Sequence, residues 1–314
     1  MIKNVLVTGG SGFIGNHLVR SLLNKNIEVF SLSSQKNVFK SSGLHNFDVR
    51  LNDKVALTNL LSIIRPDVVV HLAAIASPVY DNVSEIYETN VLGTENLFES
   101  LRDSNLFGIK VILTSTAGVY GNNPKEFIPE NEPFSPVNHY SFSKMVMEIL
   151  SRRFDQDYDI SIIRPFNIIG VGQKTNFLVP KLVQAFVNRN PIIEVGNLNT
   201  IRDYSPIKRA IDAIEKLIFE NTELKLLNIC SGISLSGLDI IQALENITNF
   251  KPDIQVSPDL IRPNEIFRCV GDPTVINRTC GSAIARKDII NTIEKMVISS
   301  NKFKMEWIWK KLQL

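Results

Sequence analysis

Cysteine is scarce in this chain: Cys230, Cys269 and Cys280 are three among 314 residues, an odd number with no CxxC spacing. That count argues against a disulfide scaffold or a thiolate metal centre, and buried free thiols in a reducing compartment are expected. The four histidines, His17, His45, His71 and His139, share no ligand spacing, so no metal site is expected. Net charge is only +2 and no basic cluster appears, which removes the case for nucleic acid or an anionic membrane as partner. No apolar run reaches the ~20 residues of a membrane span. The first residues lead straight into a strand-like run, without the pattern of a secretory signal, so a cytoplasmic protein is expected. Repeats, low-complexity tracts and linker-like stretches are missing as well. What remains is an ordinary globular composition, 44% hydrophobic and 21% charged, long enough for one large α/β domain or two lobes.

The feature that organises the rest is Val5-Leu6-Val7-Thr8-Gly9-Gly10-Ser11-Gly12-Phe13-Ile14-Gly15. An aliphatic run breaks into glycines three apart and then becomes Asn16–Leu23, which reads as strand, tight turn and helix. Gly9 allows the turn, Gly12 lets backbone approach a phosphate, and Gly15 lets helix and strand pack closely. The helix start then offers N–H groups and a partial positive charge to a pyrophosphate.

Further strand-like runs occur at Glu28–Leu32, Val68–Leu72, Val111–Ser115 and Ile160–Arg164, with helical patterns at Asn52–Ile64, Glu85–Asp103 and Ser141–Phe154. Near-continuous apolar strands alternating with helices predict a doubly wound parallel sheet of the Rossmann type, with ligands at the carboxyl ends of its strands. Asp53 reads as an N-cap, and Pro66 should end the same helix at Arg65. Later helices are expected at Phe177–Asn188, Lys208–Glu220, Gly237–Thr248 and Asp288–Ile298, and Met305–Trp309 should dock as an amphipathic turn. The alternation weakens after residue 165. We expect a cofactor domain over 1–165 and a smaller substrate lobe over 166–314, with about 203–231 returning to the first.

Two stretches carry cofactor readings and three places carry catalytic candidates. At the end of the second strand Ser33 and Ser34 stand where a carboxylate usually binds a ribose 2′-hydroxyl, and Lys36 could attract a 2′-phosphate, so NADP(H) is preferred and NAD(H) possible. Asp48-Val49 would serve the adenine amino group. Tyr140 and Lys144 are four apart on one helix face, and the ammonium should lower the phenol from its usual ~10. Ser115-Thr116, at a strand end, could bind a carbonyl oxygen. Asn90 is the third candidate.

Together these motifs resemble the extended short-chain dehydrogenase/reductases, the NAD-dependent epimerase/dehydratase group. The likeness runs in order through GxxGxxG, His71-Leu72-Ala73-Ala74, Asn90, Ser115-Thr116, Tyr140-xxx-Lys144 and Arg164-Pro165. It is strongest with the GDP-4-keto-6-deoxy-D-mannose reductases, through Arg164–Gln173, Phe177, Val179-Pro180-Lys181, Gly196–Leu198, Arg202-Asp203-Tyr204, Asn228–Gly232, Leu260–Pro263 and Gly271-Asp272. The resemblance implies that Tyr140 is the acid/base, Lys144 tunes it and binds the nicotinamide ribose, Thr116 bonds the reacting oxygen and Asn90 supports the site. It implies cofactor contacts at Gly9, Ser11, Gly12, Phe13, Ile14, Gly15, Leu72, Ala73, Ala74 and Pro165. Substrate contacts would fall on Ser115, Asn167, Val179, Lys181, Arg202 and Arg262, and the helices of Asn90 and Tyr140 would form a four-helix bundle with a second copy.

Departures narrow the chemistry. Ala117-Gly118 stand where related 4,6-dehydratases carry Asp-Glu, and without such carboxylates elimination of water has no proton carriers. GDP-fucose synthase relatives have a cysteine at Ala117 and a later histidine, neither matched here. Pro206-Ile207-Lys208-Arg209 replaces a run that usually holds aspartates. The expected activity is reduction of the C4 keto group of a GDP- or dTDP-linked 4-keto-6-deoxyhexose, with a tightly NAD-bound 4-epimerase as the alternative.

Overall fold

A computed structural model describes residues 2–33, 41–76, 80–261 and 265–312, with side chains as far as 301. The strands are β1 (Asn4–Thr8), β2 (Glu28–Leu32), β3 (Leu44–Phe47), β4 (Val68–His71), β5 (Lys110–Thr114), β6 (Asp159–Pro165), β7 (Asn167–Ile169), β8 (Ile192–Val195), β9 (Ile201–Pro206), β10 (Leu226–Ile229), β11 (Ser234–Leu235), β12 (Asp253–Val256) and β13 (Arg268–Cys269). The helices are α1 (Phe13–Asn24), α2 (Lys54–Ile64), α3 (Val83–Tyr87), α4 (Gly93–Asp103), α5 (His139–Ser151), α6 (Leu178–Val187), α7 (Ile207–Phe219), α8 (Gly237–Thr248), α9 (Thr274–Cys280) and α10 (Arg286–Leu312).

Seven parallel strands form the main sheet in the order β10-β6-β5-β4-β1-β2-β3. The winding direction reverses between β1 and β4, which opens the crevice where such sheets take ligands. Alternation along β1 explains the layers. Val5 and Val7 enter a core with Leu18, Val19 and Leu22 of α1 and Ile214 and Leu217 of α7. Leu6 points the other way, into a core with Leu57 and Leu61 of α2, Leu97, Phe98 and Leu101 of α4 and Met147 of α5. There Phe98 stacks on Phe154 at 4.6 Å between centroids. A third core joins α6, α8 and α10 to Val195 and Tyr204.

The strands expected from sequence fall within one residue of those observed. Asp53 caps α2 by accepting from Ala56 N at 3.0 Å, and α2 ends at Arg65, which leaves the helical conformation for the left-handed region before Pro66. One expectation needs correction. Glu85–Asp103 is not one helix: a π-helical turn, Glu88–Leu92, separates α3 from α4 and contains Asn90. Of the stretch expected to return to the first domain, α7 packs in the first core and β10 is the edge strand of the main sheet. β9 belongs to a smaller sheet, where it pairs with β7, β11 and β13, while Cys269 and Ile276, far beyond residue 231, join the first core. The backbone of Met305–Trp309 is helical, and its expected docking lies outside the described side chains.

Asp203 staples the two parts. Its buried carboxylate accepts from the N–H groups of Ser231 and Gly232 at 2.8 Å and of Gly271 at 3.3 Å, and from the Ser231 hydroxyl at 2.8 Å. Burial pushes this acid up to about 6 even though those donors favour the charge. The folded chain therefore holds a proton that an unfolded aspartate loses near 4. Stability of the wild type relative to Asp203→Asn should fall by up to about 3 kcal/mol as pH rises from about 4 to about 6. Urea titrations of both proteins across that range measure it, and a flat difference would refute the raised acid.

Candidate active site

The glycine turn is built by close contact. Gly9 has φ +70, and a Cβ there would sit 2.8 Å from Ala73 N, so the loops after β1 and β4 lie against each other. A Cβ on Gly15 would overlap Gly9 O. The turn is closed by Gly9 N donating to Leu32 O at 2.7 Å and Gly12 N to Gly9 O at 2.9 Å. Gly12 caps α1 without any side-chain cap, so the first-turn N–H groups at Phe13, Ile14 and Gly15 face outward from the turn. Ser33 is hydrogen-bonded to Ser11 across this turn. Asp48 is exposed just beyond β3, and Val49 packs against the core beneath. Leu72, Ala73 and Ala74 are half-buried after β4, and Pro165 is half-buried at the end of β6. Ser34 and Lys36 lie outside the described residues.

Across the crevice, α5 is started by Asn138, whose side chain accepts from Ser141 N at 2.9 Å. That places Tyr140 in the first turn and Lys144 one turn on, with the Tyr140 hydroxyl hydrogen-bonded to Thr116. Thr116 leads a short 3-10 turn and accepts from Gly118 N at 3.1 Å. Lys144 is 1% exposed and donates to Thr114 O at 2.7 Å. Burial lowers it to about 8, opposed by the charge of Glu148. The expected lowering of Tyr140 is not found. Burial pushes its phenol up to about 12, with the Thr116 bond opposing, and the Lys144 ammonium donates to the carbonyl of Thr114. A Cβ at Gly118 would meet the Ser141 hydroxyl, which would have to turn aside.

A model of the NAD dependent epimerase/dehydratase family matches residues 5–230. The chain belongs to this family. It is 35% identical to GDP-6-deoxy-D-talose 4-dehydrogenase of Aggregatibacter actinomycetemcomitans, covering 93% of this chain and 96% of that one. It is 26% identical to GDP-6-deoxy-D-mannose reductase of Pseudomonas aeruginosa, over 90% and 92% of the two chains. Among solved structures, UDP-glucose 4-epimerase of Thermus thermophilus in complex with NAD superposes with a TM-score of 0.82 at 25% identity, over 94% of this chain and 98% of that one. The RMD protein of Pseudomonas aeruginosa complexed with NADPH does so at 0.81 and 23%, over 96% and 99%, and shares the fold.

In this family member the residues next to the site form a buried network that the sequence reading missed. Arg164 bonds Glu148 bidentately, at 2.9 Å through Nε and 2.6 Å through a terminal nitrogen. Glu148 also accepts from the Ser115 hydroxyl. Arg164 donates to the Tyr120 hydroxyl at 2.8 Å and Glu130 O at 3.0 Å, and Tyr120 donates to Asn228 at 2.7 Å. Ser115 is thus buried, with its hydroxyl on Glu148. One signal was available: Glu148 continues the Tyr140, Lys144 stripe by another four residues. Asn90 is fully buried and binds Ile75 and Ser143.

The other predicted substrate residues divide. Asn167 and Arg202 sit on the neighbouring strands β7 and β9, half-buried. Asn167 donates to Asp203 O at 3.0 Å, and Arg202 to Ile201 O at 3.0 Å and Phe267 O at 3.3 Å. Val179 packs in the third core. Lys181 donates to Glu194 O at 3.0 Å and lines a cavity of about 620 Å³ with Gln184, Asn188 and Glu194. Arg262 lies outside the described residues.

Arg164→Met strands the Glu148 carboxylate in the interior and should cost about 3–5 kcal/mol of stability in urea denaturation. Lys208→Met, which breaks an ion pair with Asp212 on the exposed face of α7, should leave the midpoint unchanged. Equal effects would show that burial of the first pair carries no weight.

Proposed function

We propose that this chain is a nucleotide-sugar 4-ketoreductase, reducing the C4 keto group of a GDP-linked 4-keto-6-deoxyhexose with NADPH in deoxysugar biosynthesis. The observation that carries the reading is the Thr116 and Tyr140 hydroxyls paired, with Lys144 behind them and Ala117-Gly118 where elimination of water would need carboxylates. The names of two relatives, a GDP-6-deoxy-D-talose 4-dehydrogenase and a GDP-6-deoxy-D-mannose reductase, support the same carbon class and the same base.

The glycine turn fits a dinucleotide. A Cβ at Gly9 or Gly15 would close it, and the uncapped first turn of α1 presents N–H groups to a pyrophosphate. Ser33, in place of a carboxylate, favours a 2′-phosphate. A nicotinamide dinucleotide, when bound, supplies the hydride. Tyr140, protonated at neutral pH, holds the proton that the C4 oxygen takes up as the carbonyl becomes a hydroxyl. Thr116 orients that oxygen beside Tyr140, and Lys144, which donates to Thr114 O in this structure, supplies a positive charge one helical turn from Tyr140. Asn167 and Arg202, on adjacent strands, are placed to hold the nucleotide sugar, Arg202 by charge-assisted bonds to its pyrophosphate. A second reading, 4-epimerisation with retained NAD, is favoured by relatives named UDP-glucose 4-epimerase and uses the same three residues.

A second copy of the chain is the expected partner. Leu92, on the π-helical turn, and Phe142 and Ile149, two turns apart on α5, form an exposed apolar face on the helices of Asn90 and Tyr140.

Loss of nicotinamide absorbance with NADPH or NADH and GDP-, dTDP- and UDP-linked 4-keto-6-deoxyhexoses tests the reaction. Stoichiometric loss with the GDP sugar is expected, whereas no loss and NAD released on denaturation would favour the epimerase. Tyr140→Phe should lower turnover roughly a hundred- to ten-thousand-fold with cofactor affinity nearly unchanged. Near-normal turnover would refute its role. Ile149→Arg should convert a dimer to monomer in light scattering at unchanged fold, and a persistent dimer would place the contact elsewhere.

A further inference from the structure

Behind the cofactor turn and the catalytic helix lies a chain of buried polar groups that the mechanism leaves unused. Thr8 and His71 are register partners on β1 and β4, and Thr8 Oγ1 lies 2.7 Å from His71 Nδ1. On its other side His71 Nε2 lies 3.0 Å from Thr94 Oγ1. Thr8 and Thr94 are fully buried and His71 is 1% exposed, so each proton has to be accounted for within the protein.

Counting donors gives the direction of every bond. Thr94 spends its one hydroxyl proton on Asn90 O, 2.8 Å away, since a carbonyl can only accept. Towards His71 it therefore accepts, and Nε2 must carry a proton. Thr8 Oγ1 already accepts from Ala73 N at 3.2 Å, and its own proton points to Nδ1, which must be bare. A second ring proton on Nδ1 would meet the Thr8 hydroxyl and displace that proton from its acceptor. Among the described residues, the one charge acting on the ring is the Lys144 ammonium, which further opposes a cationic imidazole. Burial and this charge together hold the ring down to about 3.

The chain runs one way: Ala73 N–H to Thr8, Thr8 to His71, His71 to Thr94, Thr94 to Asn90. Both ends matter. Ala73 is the residue whose backbone abuts Gly9 in the cofactor turn. Asn90, in its π-helical turn, clamps Ile75 through both amide groups and donates to Ser143 at 2.9 Å, and Ser143 donates to Tyr140 O at 2.7 Å. Irregular turns of this kind gather at functional sites.

We propose that His71 is a positioning residue, locked as the neutral Nε2–H tautomer, whose bonds tie the cofactor-side loop at Ala73 to Asn90 and through it to the first turn of the catalytic helix. This assignment rests on the reading of the site as a nicotinamide oxidoreductase. The histidine touches no substrate atom; it sets where its neighbours stand.

Two-bond proton–nitrogen correlation spectra of the ¹⁵N-labelled apoprotein test the tautomer without any turnover assay. Four histidines are present, and His71→Gln assigns the resonance. The neutral Nε2–H pattern, unchanged between about pH 5.5 and about pH 8.5, is expected, whereas an Nδ1–H pattern or a midpoint near the ordinary ~6.5 would overturn the proposal. Positioning is tested by NADPH and NADH affinity. His71→Leu removes both bonds and should weaken binding about tenfold. His71→Gln, whose amide can reach Thr94 as donor, should stay within about threefold of wild type at a similar melting temperature. Thr94→Val removes the acceptor and should weaken binding like His71→Leu, which keeps the test open if the leucine variant does not fold. Wild-type affinity in His71→Leu or Thr94→Val would overturn the positioning role. If neither dinucleotide binds the wild type, the functional reading falls, and the spectra alone decide on the chain of donors.

Discussion

The bidentate pair of Glu148 and Arg164, each side chain 3% exposed, is the interaction on which the catalytic side of the molecule depends. Neither charge could be left alone in that interior, because the loss of solvation would exceed any packing gain. The pair is sustained by what surrounds it: Ser115, Tyr120, the carbonyl of Glu130 and the rings of Tyr120 and Phe134 over which the guanidinium lies. Each partner comes from a different element. α5 is thereby fixed against the ends of β5 and β6, and Thr116 and Tyr140, one residue beyond Ser115 and two turns before Glu148, are set opposite one another.

A second constraint acts between the lobes. Asp203 reaches from β9 to the loop after β10 and to Gly271, so the small sheet cannot move without breaking bonds to the edge strand of the large one. On the far side His17 of α1 meets Val171 O at 2.9 Å, and Gly170 is closed in by Ile207. The helix that starts at the cofactor turn is therefore also a wall of the region where the second lobe begins.

Local features were legible in the sequence. The glycine turn depends on backbone freedom and close approach at Gly9 and Gly15, and both leave their mark as missing side chains. Tyr140 and Lys144 were legible because the helical period alone puts them on one face. What needed the fold was pairing over distance. Glu148 and Arg164 are joined only when helix and strand pack, and periodicity cannot say which buried acid meets which base. Strand and helix phase set where two of the named side chains point: Ser115 turns to Glu148, and Val179 turns into the core. Asn90 was found as a residue, but its π-helical turn was not, since one extra residue in a turn is invisible to a 3.6-residue pattern.

The protonation states of the site follow from burial and from where its charges point. The phenol of Tyr140 is held above its usual range, so it is protonated at neutral pH. Lys144 is eased down to about 8 by burial, with Glu148 limiting the fall, and its ammonium opposes a charge on His71. One side chain thus links the two buried networks: the charge that Glu148 helps Lys144 to keep is the charge that helps hold His71 neutral.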